Sequence, residues 1–132
     1  MQKPCILLVE HDIIVRSPLA EYLRECGYRV LEAVNAGEAR ALLGAADDIT
    51  LVLADADAPD GGGFALQAWI RENFPDIEVI LAGSITKAAE KAGEICKDGP
   101  AISRPYHHQT VLDTIRRLLA ARDRGKSRAF GR

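Results

Sequence analysis

The sequence predicts an α/β domain in which five parallel strands form one doubly wound sheet with helices on both faces. Three observations predict it. Five short apolar runs recur along the 132 residues, each of strand length. Segments with helical spacing of apolar residues separate them. The polar, chemistry-bearing side chains collect where the runs stop, and open parallel sheets hold their ligands at that edge.

The first run is Cys-Ile-Leu-Leu-Val over 5–9, continuous in the way of a strand buried on both faces, and it stops at Glu10-His11-Asp12. Residues 14–26 place Ile14, Val15, Leu19, Tyr22 and Leu23 at helical spacing, with Pro18 near the start and Gly27 as the stop. A second strand over 28–33 follows. Asn35 then caps a helix over 36–43, closed by Gly44. The third strand, 49–54, ends at Asp55, and a loop carrying Pro59 and Gly61-Gly62-Gly63 follows. Residues 64–74 form the next helix, with Phe64, Leu66, Trp69 and Ile70 expected inward and Pro75 ending it. The fourth strand, 77–82, runs into Gly83-Ser84. The Ala-rich helix over 85–96 is weakly amphipathic and expected to pack loosely. Pro100-Ala101-Ile102-Ser103 is the short fifth strand, followed by Arg104-Pro105-Tyr106. The last helix spans 108–121. Its neighbour pair His107-His108 is expected at the surface, because adjacent residues diverge around a helix.

Composition narrows the class. Hydrophobic residues make up 48%, charged residues 27%, and the net charge is −2, as in a soluble domain with no general pull toward nucleic acid or an anionic membrane. No apolar run approaches the roughly 18 residues of a membrane span, and no signal peptide is expected. Cys5, Cys26 and Cys96 are odd in number and widely spaced, so reduced cysteines of a cytoplasmic protein are expected. Residues 122–132 read as a basic, disordered tail beyond a domain over 4–121.

A strand order of 2-1-3-4-5 puts the switch point between strands 1 and 3. It sets Glu10, His11 and Asp12 beside Asp55, with Gly83, Ser84 and Arg104 on the same edge. No single motif would bring four segments to one carboxylate.

Those residues carry a resemblance. Ile6-Leu7-Leu8-Val9-Glu10-His11-Asp12, Asp55 with Pro59 four and Gly63 eight residues later, and Arg104-Pro105-Tyr106 resemble the receiver domain of two-component response regulators, which is CheY-like. The resemblance implies a flavodoxin-like fold and a phosphoacceptor at Asp55. It implies Mg²⁺ held through Glu10 and the backbone carbonyl of Asp57, and phosphoryl contacts from the Ser84, Gly83 and Arg104 positions. It further implies a histidine kinase or histidine phosphotransfer protein as phosphodonor and a downstream protein docking on the α4-β5-α5 side. A homodimer is compatible with it. No DNA-binding domain is expected. The chain is expected to be a signalling domain rather than an enzyme, with slow autodephosphorylation at most.

Three departures stand beside the matches. His11 occupies the place of a second acidic ligand, and imidazole suits Zn²⁺ or Cu²⁺ better than Mg²⁺. His11 therefore either hydrogen-bonds Glu10 or Asp55 in a metal-free pocket, weakens Mg²⁺, or takes a transition metal, while Asp12 is the substitute ligand. Gly83 takes the place of the switch hydroxyl, and Ala101 that of the strand-5 aromatic. Arg104 replaces a lysine and brings a planar fork suited to a carboxylate. Two functions follow as expectations: a stand-alone phosphoacceptor, or a phosphorylation-independent binding module whose pocket is locked by His11 and Arg104.

Overall fold

The structure is a computed structural model and describes residues 4–58, 61–98 and 108–130. Its elements are β1 (Cys5–Val9), α1 (Ile13–Glu25), β2 (Arg29–Ala33), α2 (Ala36–Ala45), β3 (Ile49–Asp55), α3 (Gly62–Asn73), β4 (Glu78–Ala82), α4 (Ile85–Asp98) and α5 (His108–Phe130). The strands pair in parallel in the order β2-β1-β3-β4. The described sheet thus has four strands where five were expected. The expected fifth strand at Pro100–Ser103, and with it Ala101 and Arg104, lies outside the described residues. That stretch holds a proline and a single β-branched residue, a weak strand signal beside the Val- and Ile-rich runs before it.

β1 is buried along its whole length because helices cover both faces of the sheet. Alternation along the strands then sorts the side chains into two cores. Ile6, Leu8 and Leu53 join α1, α4 and α5 on one face. Leu7, Val9, Val52 and Ala54 join α2 and α3 on the other. α2 starts on its Asn35 cap, whose side chain accepts from the Glu38 N–H at 2.8 Å, as expected. Gly44 does not stop it, and the helix continues to Ala45.

Several local expectations are corrected. Phe64 is 67% exposed, because it lies about 200° around α3 from Leu66, which with Ile70 faces inward. α4 packs tightly, with Ala89 and Ala92 fully buried. Its small residues permit close approach: a Cβ on Gly93 would stand 2.8 Å from Nδ1 of His108, so that histidine is packed and only partly exposed. Cys26 and Cys96 form a disulfide across a separation of 70 residues, with Cα atoms 5.5 Å apart, where free thiols were expected. It joins the C-cap of α1 to the last turns of α4. Beside it the Tyr28 hydroxyl donates to the Ile95 carbonyl at 3.0 Å. Cys5 is a buried free thiol. α5 runs on to Phe130, through most of the segment expected to be a disordered tail.

Candidate functional site

The strand register fixes the site. Val9 lies opposite Ala54, and Asp55 opposite Ala82, so β1, β3 and β4 end level with one another. Glu10, Asp55 and Gly83 therefore emerge on one edge, around a cavity of about 230 Å³. Glu10, His11, Asp12, Asp55, Asp57 and Ser84 supply its polar lining, and residues such as Val15, Leu19, Leu53 and Ala82 its apolar lining.

Backbone geometry holds Asp55 in place. Its carbonyl accepts from the Ala58 N–H at 3.2 Å, and the Ala56 N–H donates to the Ala82 carbonyl at 2.9 Å. Its side-chain Oδ1 accepts from the Asp57 N–H at 2.9 Å. One carboxylate oxygen is thus oriented, and Oδ2 is turned toward His11, whose Nδ1 lies 4.0 Å away. The helix behind it needs Gly63. A Cβ there would stand 2.6 Å from the Asp55 carbonyl oxygen and 3.1 Å from Cα of Ala56. Gly62 has φ +83°, in the left-handed region glycine favours.

Glu10 is oriented from the other side. Its Oε2 accepts from the Asp12 N–H at 2.8 Å, and Arg16 donates to its carbonyl at 2.9 Å. Nδ1 of His11 lies 3.2 Å from the same Oε2. Burial pushes the Glu10 carboxyl above its usual range; the charge of Asp55 adds to this, and the Asp12 N–H opposes it.

Asp12, the expected substitute ligand, borders the cavity with both carboxylate oxygens already engaged. It caps α1, with Oδ1 accepting from the Ile14 N–H at 3.0 Å. Arg122 of α5 grips both of its oxygens, at 3.1 and 2.9 Å. Burial pulls the Asp12 carboxyl upward, but the Arg122 hydrogen bond and charge and the Ile14 N–H outweigh it and leave it below its usual range. Arg122 is the residue the sequence left in a tail. Its signal was its place three and four residues after Leu119 and Leu118, on the continuing period of α5.

Ser84 is at the cavity, and its hydroxyl accepts from the Lys87 N–H at 3.1 Å as it starts α4. Gly83 is exposed, and a Cβ there would meet nothing within 4 Å. Asp57 is exposed and contributes its N–H to Asp55. Arg104 and Ala101 lie outside the described residues; among the described residues Arg122 brings a cation to Asp12 and Arg16 one to the Glu10 carbonyl.

Donor atoms of Glu10, His11 and Asp55 lie within 4.8 Å of one another, close enough to share a cation. The set fits Mg²⁺ poorly. Mg²⁺ takes oxygen ligands in a strict octahedron, whereas here one of three donors is an imidazole and the nearest further carboxylate is committed to Arg122.

The family model for the response regulator receiver domain matches residues 6–120. The aerobic respiration control protein ArcA of Escherichia coli is 28% identical over 120 residues, covering 91% of this chain and 50% of that protein. The chain spans about half the length of the curated relatives it matches. Among solved structures, the non-phosphorylated HemR receiver domain of Leptospira biflexa is 31% identical, with TM-score 0.58 over 87% of this chain and 93% of that one. The response regulator TrrA of Thermotoga maritima, solved with Mg²⁺-BeF, is 31% identical, with TM-score 0.56 over 61% of this chain and 68% of that one. Matched by that family model over residues 6–120, the chain belongs to the response regulator receiver domain family.

Proposed function

We propose that the chain is a phosphorelay receiver in which Asp55 accepts a phosphoryl group from a histidine kinase or a histidine phosphotransfer protein. The observation that carries this is the division of labour on one carboxylate. Oδ1 is tied to the Asp57 N–H, while Oδ2 faces the cavity. In the transfer Oδ2 forms a bond to phosphorus, the phosphorus–nitrogen bond of the donor phosphohistidine breaks, and the released imidazole takes up a proton. The side chain of Asp55 is 21% exposed, so a donor reaches it without opening the core. Ile13 and Phe64, 61% and 67% exposed at the starts of α1 and α3, offer apolar footing beside it. Signal output is a change in protein contact on the α4–α5 side, homodimerisation included. Loss of the phosphoryl group to water is slow, and no other catalysis is proposed.

A second reading, a phosphorylation-independent binding module, is favoured by the 3.2 Å approach of His11 to Glu10 and by the Arg122 grip on Asp12, which hold the pocket closed on itself. Intact-mass measurement separates the two. The protein is incubated with a small phosphodonor, with Mg²⁺ and separately with Co²⁺. Gain of one phosphoryl group by wild type and not by Asp55→Asn is the expected result. No gain with either metal, with partner binding untouched by Asp55→Asn, overturns the phosphoacceptor proposal in favour of the second reading.

A further inference from the structure

We propose that Glu10, His11 and Asp55 form a binding site for a borderline first-row transition ion of the Zn²⁺ and Co²⁺ type, in preference to Mg²⁺. The site is that of the unphosphorylated chain, and it does not require Asp55 to be a phosphoacceptor.

The donors are one imidazole nitrogen and two carboxylate oxygens. Nδ1 of His11 lies 3.2 Å from Oε2 of Glu10 and 4.0 Å from Oδ2 of Asp55. Two ligand atoms each about 2.0–2.2 Å from a zinc ion are at most about 4.4 Å apart, so both separations fit a shared ion. Imidazole and carboxylate together suit zinc-like ions, whose affinity for such donors exceeds that of harder cations. Mg²⁺ gains nothing from the nitrogen and gives up its water reluctantly.

The surroundings orient the carboxylates. Glu10 is set by the Asp12 N–H at 2.8 Å, and Asp55 by the Asp57 N–H at 2.9 Å. Asp12, the carboxylate that would add a hard ligand, is held away by both hydrogen bonds from Arg122. The Glu10 and Asp55 carboxylates have donor atoms within 4.8 Å of one another, and a divalent ion between them offsets their like charge.

Isothermal titration of the full chain with Co²⁺ and with Mg²⁺, and the visible absorption of the Co²⁺ form, test the inference. Expected are one Co²⁺ bound per chain with nitrogen–oxygen ligand-field bands, and affinity at least about tenfold above that for Mg²⁺. His11→Asp removes the preference: Co²⁺ affinity falls by about tenfold or more, and Mg²⁺ affinity rises. The His11 side chain is 55% exposed, so this variant folds, and circular dichroism verifies it. His11→Gln, which restores no carboxylate, loses Co²⁺ without gaining Mg²⁺. Equal or tighter Mg²⁺ binding by wild type overturns the inference, as does Co²⁺ binding that His11→Asp leaves unchanged, which would place the ion on another group such as His108. Phosphoryl transfer is not the readout, so failure of the phosphoacceptor proposal leaves this result intact.

Discussion

Gly63→Ala places one methyl group where the structure has no room for it. The new Cβ would lie 2.6 Å from the Asp55 carbonyl oxygen, 2.9 Å from a Leu81 methyl and 3.1 Å from Cα of Ala56. The Leu81 methyl can rotate away. The two backbone atoms cannot, since the Ala58 and Ala56 N–H groups anchor that turn to Asp55 and to Ala82. Relief must come from moving α3 off the end of β3. Overpacking of this kind costs about 1–3 kcal/mol. Exchanging glycine for alanine near a helix start returns somewhat under about 1 kcal/mol. A net loss of about 1–2 kcal/mol follows, which at this chain length lowers Tm by roughly 3–8 °C. Urea unfolding followed through Trp69, which sits on α3 itself, measures it. Gly83→Ala is the matched control, because nothing lies within 4 Å of its Cβ position. That variant should be neutral or gain up to about 1 kcal/mol through a less flexible unfolded chain. If Gly63→Ala stays within about 0.5 kcal/mol of wild type, or Gly83→Ala loses as much as it does, the close-approach argument is refuted.

Other predictions test the remaining contacts. Arg122→Ala should cost about 1 kcal/mol at neutral pH for a partly exposed pair. Because the Asp12 carboxyl is held below its usual range, that contribution is present above the ordinary Asp value of about 3.9 and is lost as pH falls through the folded-state value, so an undiminished difference in acid would sink the assignment. Glu10 is held above its usual range, so ionising it costs stability. Glu10→Gln should gain stability relative to wild type as pH rises above 4.5 and show no gain in stronger acid, read from urea midpoints across pH. Reducing the Cys26–Cys96 bond, which spans 70 residues, should remove up to roughly 4 kcal/mol, and Cys26→Ser should match reduced wild type without responding to reductant. Phe64→Ser should leave stability within about 0.5 kcal/mol, whereas Ile70→Ala, fully buried on the same helix, should lose about 2–5 kcal/mol in the same denaturation assay.

The strand edge was legible because the signals that mark it are local. Cys5–Val9 is apolar at every position, and only a strand covered on both faces uses such a run. Asp55 and Gly63 were legible through spacing, and the 2.6 Å approach shows what that spacing serves. What was not legible depends on contacts distant in sequence. The Cys26–Cys96 bond exists because α4 lies against α1, which no local pattern specifies. The tight seat of α4 was missed because alanine and glycine read as weak amphipathicity, although their small size is what allows a helix to come close. Phe64 was misplaced because it lies about 200° around the helix from Leu66, so the two cannot share one inward face. Arg122 was missed because a run of basic residues resembles a solvated tail, and only the Asp12 carboxylate it grips distinguishes it.

The charges around the cavity explain why these substitutions belong together. Three carboxylates stand near one strand edge, and each has a different remedy. Asp12 is neutralised by Arg122 and withdrawn into the cap of α1. Glu10 is part-buried beside the Asp55 charge, so its ionised form is the costly one even though the Asp12 N–H favours it. Asp55 keeps an oxygen facing the cavity, with His11 4.0 Å away as the adjustable neighbour. Replacing a carboxylate with His11 removes one negative charge from this group and supplies a donor that is neutral or cationic. The local repulsion that would otherwise require a hard divalent ion is thereby reduced. A pocket built this way depends less on Mg²⁺ to hold its shape, and its remaining two carboxylates and one imidazole discriminate among cations by ligand type rather than by charge alone.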